Sequence, residues 1–151
     1  MNETVTRSFE DRLREAAALL RNAANVAAFT GAGISTESGI SDFRSPGGVW
    51  ERHRIVTYQE FISSAEARRE YWVMKRELHR ELGGARPNRA HLALAEREER
   101  GKLDCLITQN IDGLHQDAGS SPGKVVELHG TNRRAACLDC RREGPIEELQ
   151  A

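Results

Sequence analysis

Leu103-Asp104-Cys105-Leu106-Ile107-Thr108-Gln109-Asn110-Ile111-Asp112-Gly113-Leu114-His115 is the stretch that decides the fold. Its first six residues form an apolar run with the length of a buried strand. Two amides and a carboxylate follow at once, where strand gives way to loop. Two further runs end the same way: Val26-Ala27-Ala28-Phe29 leads into Gly31-Ala32-Gly33, and Val125-Val126-Glu127-Leu128 leads into His129-Gly130. In open α/β sheets, ligands bind outside the carboxyl ends of the strands. Three strand ends therefore bring a glycine turn, an amide and acid cluster and a histidine to one edge, the layout of a nucleotide-using active site.

The segments between these strands read as helices. Ser8 caps a first helix, with Asp11 in the reciprocal position of a capping box, and Phe9, Leu13, Ala16, Ala17 and Leu20 recur at helical spacing. Ala65 to Leu82 carries Tyr71, Met74, Leu78 and Leu82 near one face and stops at Gly83-Gly84. Asn88 caps a helix through Arg100, and Gly101 fits its C′ position. Between Ser41 and Tyr58 no periodicity holds, and Asp42, Arg44, Pro46, Gly47 and Gly48 mark a loop. A loop of that length in a compact domain is usually functional or mobile. The expected class is α/β: a Rossmann-like parallel sheet with flanking helices over residues 1–133, interrupted by a loop and helical insertion at about 41–86. Beyond Thr131 the pattern breaks, and residues 134–151 read as the start of a small separate module.

The bulk properties bound the function. A chain of 151 residues fits one domain with a core. A net charge of −1 gives no electrostatic argument for nucleic acid or a membrane surface. No apolar run approaches the roughly 20 residues that span a bilayer. The start, Met1-Asn2-Glu3-Thr4, has no apolar signal core, so a cytoplasmic protein is expected. Of three cysteines, Cys105 lies in a strand and reads as a buried small hydrophobe. Cys137-Leu138-Asp139-Cys140 is a C-x-x-C motif that reads either as half of a zinc site or as a redox pair. A structural zinc needs four ligands, and no further Cys or His follows, so an incomplete domain is expected.

Gly31-Ala32-Gly33 resembles a dinucleotide fingerprint, but Thr36 stands where the third glycine belongs. By itself it reads equally well as a tight turn. Glycines at a helix start expose N–H groups to anions, and Ser35, Thr36 and Ser38 add hydroxyls. Phe43, flanked by Asp42 and Arg44 in a Gly/Pro loop, is placed to close over a flat aromatic ligand. His129 follows a strand and precedes a glycine, where an imidazole can act as general base near neutral pH. His115 reads as a packing residue, and His53, His79 and His91 as surface or packing residues.

Together these segments closely resemble the sirtuin signature. Gly31-Ala32-Gly33-Ile34-Ser35-Thr36-Glu37-Ser38-Gly39-Ile40-Ser41-Asp42-Phe43-Arg44 carries it, with Thr108 to His115, Glu127-Leu128-His129-Gly130, Cys137-x-x-Cys140 and Pro87-Asn88-x-Ala90-His91-x-Ala93-Leu94. Ser41 stands where many members have proline, and the second C-x-x-C is missing. The resemblance covers Val26 to Cys140 and implies the N-terminal part of a sirtuin catalytic domain.

Such enzymes remove acyl groups from the lysines of a protein or peptide and consume NAD. The acyl oxygen attacks C1′ of the nicotinamide ribose as nicotinamide leaves, and O-acyl-ADP-ribose results. The resemblance implies that Asn110 and Asp112 hold the nicotinamide carboxamide, that Gln109 orients the ribose and that His129 is the general base. It further implies that Gly31, Ala32, Gly33, Ile34, Ser35, Asp42, Phe43, Arg44 and Ile111 contact NAD. Cys137 and Cys140 become two of four ligands to a structural zinc. Desuccinylating members carry Tyr-x-x-Arg on the helix after the cofactor loop, and an ungapped match puts Trp72 to Lys75 there. Lys75 lacks the bidentate fork of Arg, which favours deacetylation. The alternatives are an NAD-cleaving hydrolase or ADP-ribosyltransferase on the same scaffold, and a non-catalytic remnant. Residues 1–151 alone are expected to be inactive.

Overall fold

Why the strand ends meet is visible in the computed structural model, which describes residues 8–40 and 52–150. Strands β1 (Ala27–Thr30), β2 (Cys105–Thr108) and β3 (Val125–Glu127) form one parallel sheet in the order β1-β2-β3. Thr30 lies opposite Thr108, and Thr108 opposite Glu127, so the strands finish level with one another. The ladder runs one step further, as Gln109 N–H donates to the Thr30 carbonyl at 3.0 Å and Leu128 N–H to the Thr108 carbonyl at 2.9 Å. Parallel pairing requires a crossover between strands, and the helices supply it.

Capping chemistry sets most helix boundaries. Helix α1 (Phe9–Asn22) starts at the expected Ser8–Asp11 capping box. A 3₁₀ helix (Ala32–Ser38) follows β1 directly. Helix α2 (Tyr58–Ser63) is an element the periodicity does not reveal, although Thr57 and Glu60 form a capping box that signals its start. Helix α3 (Ala65–Gly83) begins under a Ser64 cap and α4 (Arg89–Glu99) under an Asn88 cap. Gly101, at φ +65°, adopts the left-handed turn that a helix C-terminus favours. Helix α5 (Leu114–Asp117) opens immediately after the Asn110–Asp112 turn. Strands β4 (Arg134–Ala136) and β5 (Glu143–Pro145) pair as an antiparallel hairpin, and α6 (Glu147–Gln150) follows.

The sheet has one covered and one open face among the described residues. Leu106 and Thr108 are buried, as is Thr30. The other face is open: Phe29, 63% exposed, and Val126, 49%, flank Ile107 in register. This corrects the reading of β2 as a wholly buried strand, and of Cys105 as a buried hydrophobe. Cys105 is half-buried because it shares the less covered face with Ile107. A second apolar cluster joins Met74 and Leu78 of α3 to Tyr71, Leu82 and Ile111. It seats α3 against the turn that follows β2, so that the insertion supports the site.

Candidate active site

The floor of the site is a chain of buried hydroxyls. Thr30 Oγ1 donates to Thr108 Oγ1 at 2.9 Å, and Thr108 Oγ1 accepts the Asn110 N–H at 3.0 Å. With the Thr30 proton spent on Thr108, His115 Nε2 is the donor in its 2.9 Å contact with Thr30 Oγ1. His115 is 1% exposed, and burial, then the neighbouring His91, push its pKa down to about 4. The imidazole is therefore neutral at pH 7 and fixed in one tautomer. The His91 ring, fully buried, lies 4.8 Å away, and burial lowers its pKa as well.

On this floor stands a second chain of bonds. Asn110 Nδ2 donates to the Gly31 carbonyl and to Ser35 Oγ, both at 3.1 Å. Ser35 Oγ donates in turn to Asp112 Oδ2 at 2.7 Å. The other Asp112 oxygen accepts the Leu114 N–H at 3.0 Å, so both oxygens are held. Asn110 and Ser35 are buried, which makes these bonds exacting, since a buried polar group without a partner is costly. His129, exposed at the end of β3, contacts the Gln109 carbonyl through Nδ1 at 3.0 Å. A carbonyl only accepts, so Nδ1 carries a proton, and in the neutral ring Nε2 is the basic nitrogen. A fixed amide, a fixed carboxylate and an exposed imidazole with a free basic nitrogen thus share one sheet edge. The arrangement can bind a carboxamide and take a proton from a hydroxyl.

Residues 31–151 match the profile of the Sir2 family. The chain belongs to the Sir2 family. It is 56% identical over 142 residues to a Thermodesulfovibrio yellowstonii protein named as an NAD-dependent protein deacetylase, covering 94% of this chain and 55% of that one. An Arabidopsis thaliana NAD-dependent protein deacylase is 44% identical, over 87% of this chain and 35% of its own length. Among solved structures, a Sir2 homologue in complex with NAD superposes with a TM-score of 0.76 at 37% identity, over 89% of this chain and 52% of the other. A Sir2 complex with a p53 peptide and NAD superposes at 0.77, again at 37% identity, over 90% and 53%. The chain spans about half the length of the curated relatives it matches.

Within this sirtuin chain, Gly31, Ser35, Gln109, Asn110, Asp112 and His129 lie together at the strand ends. Among the described residues nothing lies within 4 Å of where a Cβ on Gly33 would be. Ile111 packs with Met74 and Leu78, and its carbonyl accepts the Asn132 N–H at 2.9 Å. Asp42, Phe43 and Arg44 lie outside the described residues. Trp72 and Lys75 line a cleft of about 1050 Å³ between α2–α3 and the β4–β5 hairpin. Lys75 Nζ donates to Asn132 Oδ1 at 3.2 Å, and burial lowers its pKa.

Cys137 and Cys140 are exposed on the hairpin turn. Backbone N–H groups of Cys140 and Asp139 hold the Cys137 thiol below its ordinary pKa, which suits a thiolate ligand. Among the described residues no group of three or more His, Cys, Asp or Glu could hold a metal. The donors present fit half of a tetrahedral set.

Sequence reasoning missed three contributors. Thr30 and Thr108 read only as strand ends. Asn88 reads only as a cap, yet its Nδ2 also ties down the 3₁₀ helix through the Ile34 carbonyl at 2.7 Å and Ser38 Oγ at 3.0 Å. A polar residue that must serve two elements carries no local pattern.

Proposed function

We propose that this chain carries the NAD-cleaving site of a protein lysine deacylase with a preference for acetyl groups. The observation that supports it best is the Asn110–Ser35–Asp112 chain of hydrogen bonds beside His129 with its free Nε2. NAD, as co-substrate, supplies the electrophilic C1′ that the acyl oxygen attacks as nicotinamide departs. Asp112 and Asn110 hold the carboxamide: the Asp112 oxygens keep lone pairs for its NH₂, and Asn110, whose amide hydrogens lie on Gly31 and Ser35, offers Oδ1 as a second acceptor. Gln109 orients the ribose, and the backbone of Gly31, Ala32 and Gly33 takes the phosphates. His129 Nε2 removes a proton from a ribose hydroxyl, which attacks the acyl carbon; the lysine amine then leaves with a proton, and a water adds to the acyl carbon to give O-acyl-ADP-ribose. Cys137 and Cys140 would supply two thiolates to a structural zinc, which would brace the hairpin and take no part in the chemistry.

The assay follows nicotinamide release and products from an acetyl-lysine peptide with NAD. It is run on this chain and on a chimera that appends the C-terminal half of the Thermodesulfovibrio relative. In whichever of these turns over, His129→Ala should lower the rate by roughly 10²–10⁴. Undiminished turnover in that variant removes His129 from the mechanism. Free ADP-ribose formed without peptide, in place of O-acetyl-ADP-ribose, would make the protein a hydrolase.

A further inference from the structure

Gly113 has the most crowded Cα among the glycines of the described residues. A Cβ there would lie 2.2 Å from Arg133 Nε, 2.4 Å from Cζ and 2.7 Å from Nη2. The Arg133 guanidinium therefore rests directly on the bare backbone of the turn that carries Asp112. Gly113 also sits at φ +74°, a conformation L side chains rarely adopt. The guanidinium is anchored at its far side, where Nη1 donates to Asp117 Oδ1 at 2.8 Å and Nη2 to Asp117 Oδ2. Nη2 also donates to the Asp112 carbonyl at 3.2 Å. The preceding residue repeats the pattern, since Asn132 N–H donates to the Ile111 carbonyl at 2.9 Å. Two consecutive carbonyls of the turn are thus held by two consecutive residues at the base of the β4–β5 hairpin. The hairpin grips back, with Ile146 N–H donating to the Arg133 carbonyl at 3.0 Å.

An ordinary exposed ion pair contributes little. Arg133 differs in three ways: its fork is bidentate on Asp117, a third bond reaches backbone, and its seat exists only because residue 113 has no side chain. We propose that Arg133 is a positioning residue, which by sitting on Gly113 and holding the Asp112 carbonyl fixes the direction of the Asp112 carboxylate. The proposal builds on the reading of Asp112 as the nicotinamide acceptor. It also makes the hairpin base part of the site's framework, although no hairpin residue touches the reacting atoms.

The test reads the turn itself. Leu114 N–H bonds to Asp112 Oδ1, so its hydrogen exchange reports where that carboxylate stands. In Arg133→Ala, exchange at Leu114 should quicken at least tenfold, while Leu106 and Gln109 in the sheet ladder stay unchanged. Arg133→Lys should fail to restore protection, because an ammonium lacks the planar fork. Gly113→Ala should give the same local loss with Arg133 intact, since its Cβ evicts the guanidinium. In parallel, nicotinamide titrated against each variant should bind about tenfold more weakly than to the wild type. Unchanged exchange at Leu114 overturns the proposal, and so does equal acceleration at Leu114 and Leu106, which would mean general destabilisation. If nicotinamide does not bind the wild type, the nicotinamide reading fails, while the exchange data still decide whether Arg133 fixes Asp112.

Discussion

At the strand ends, the bonds that fix the site cross the fold: Thr108 to Thr30, Asn110 to Gly31 and Asp112 to Ser35 span 77 to 79 positions of sequence. On the β4–β5 hairpin the bonds are local. Cys137 N–H donates to the Arg142 carbonyl and Arg141 N–H to the Cys137 carbonyl, and Arg134 pairs with Glu143 nine positions away. The strand-end network is buried and each hydroxyl has a partner, so its geometry follows from folding the sheet. The hairpin has one buried apolar side chain, Ile146, and exposes both thiols. A small exposed hairpin of this kind takes its rigidity from outside, and the bonds of Asn132 and Arg133 to the turn after β2 are the anchors it has. The contrast places the site's accuracy in the sheet and leaves the hairpin conditional.

The largest expected effect lies under the network. Leu106 is completely buried in the central strand. Leu106→Ala should destabilise the chain by roughly 2–5 kcal/mol, the range for a buried leucine that leaves a cavity. Urea unfolding measures it. A loss below about 1 kcal/mol would mean that the sheet does not form the rigid half of the comparison.

The next effect is one of pH. His115 is neutral in the folded protein because its pKa falls to about 4, against about 6.5 for an exposed imidazole. Between those values the unfolded chain binds the extra proton, so stability is fully present above about pH 6.5 and is lost as pH falls towards 4. The expected loss is on the order of 3 kcal/mol, a figure that already contains the opposing Asp112 charge. His115→Gln should flatten the pH dependence of the unfolding midpoint across this window. A wild-type midpoint that does not move between pH 7 and 5 would contradict the assignment.

A smaller effect tests the hydroxyl floor. Thr108→Val keeps the shape of the side chain and removes the acceptor of both Thr30 Oγ1 and the Asn110 N–H. Leaving buried donors unsatisfied should cost about 1–3 kcal/mol. Nicotinamide affinity should fall as well, because the Asn110 backbone loses its anchor. A stability loss with unchanged nicotinamide binding would separate the floor from the site.

Much of this was legible in the sequence, and the exceptions have causes. Strand, turn and polar residue follow one another locally, so the three strand ends and their shared edge could be read directly. The caps at Ser8 and Asn88 were equally local. Helix α2 was passed over because six residues give too little periodicity, although Thr57 and Glu60 announce it. The open face of the sheet was not legible, since four-residue apolar runs do not say which side is covered. Nor were the bonds of Thr30, Thr108 and Arg133, which depend on residues brought together only by folding. Gly113 shows the limit best: it reads as a turn glycine, and nothing local says that an arginine twenty residues later occupies the space of its missing side chain.

The smallest expected effect is on the hairpin, and it is the sharpest test of the contrast. Cys137 and Cys140 are exposed thiols, and the contacts of Cys137 are to neighbouring backbone and to Cys140 itself. Replacing both with Ser should therefore change the unfolding free energy by less than about 0.5 kcal/mol, as for other exposed positions. Zinc should bind this chain loosely, because two thiolates leave half of a tetrahedral site to water or to a second chain. The measurement is metal content after purification without added zinc, followed by chelation, with the oligomeric state recorded alongside. Stoichiometric, chelator-resistant zinc in a monomer would show that the hairpin finds ligands beyond Cys137 and Cys140. The same zinc confined to a dimer would show two chains pooling their cysteines. If zinc also raises the protection of the Leu114 amide, the hairpin acts on the turn through Asn132 and Arg133, and the two regions are one mechanical unit.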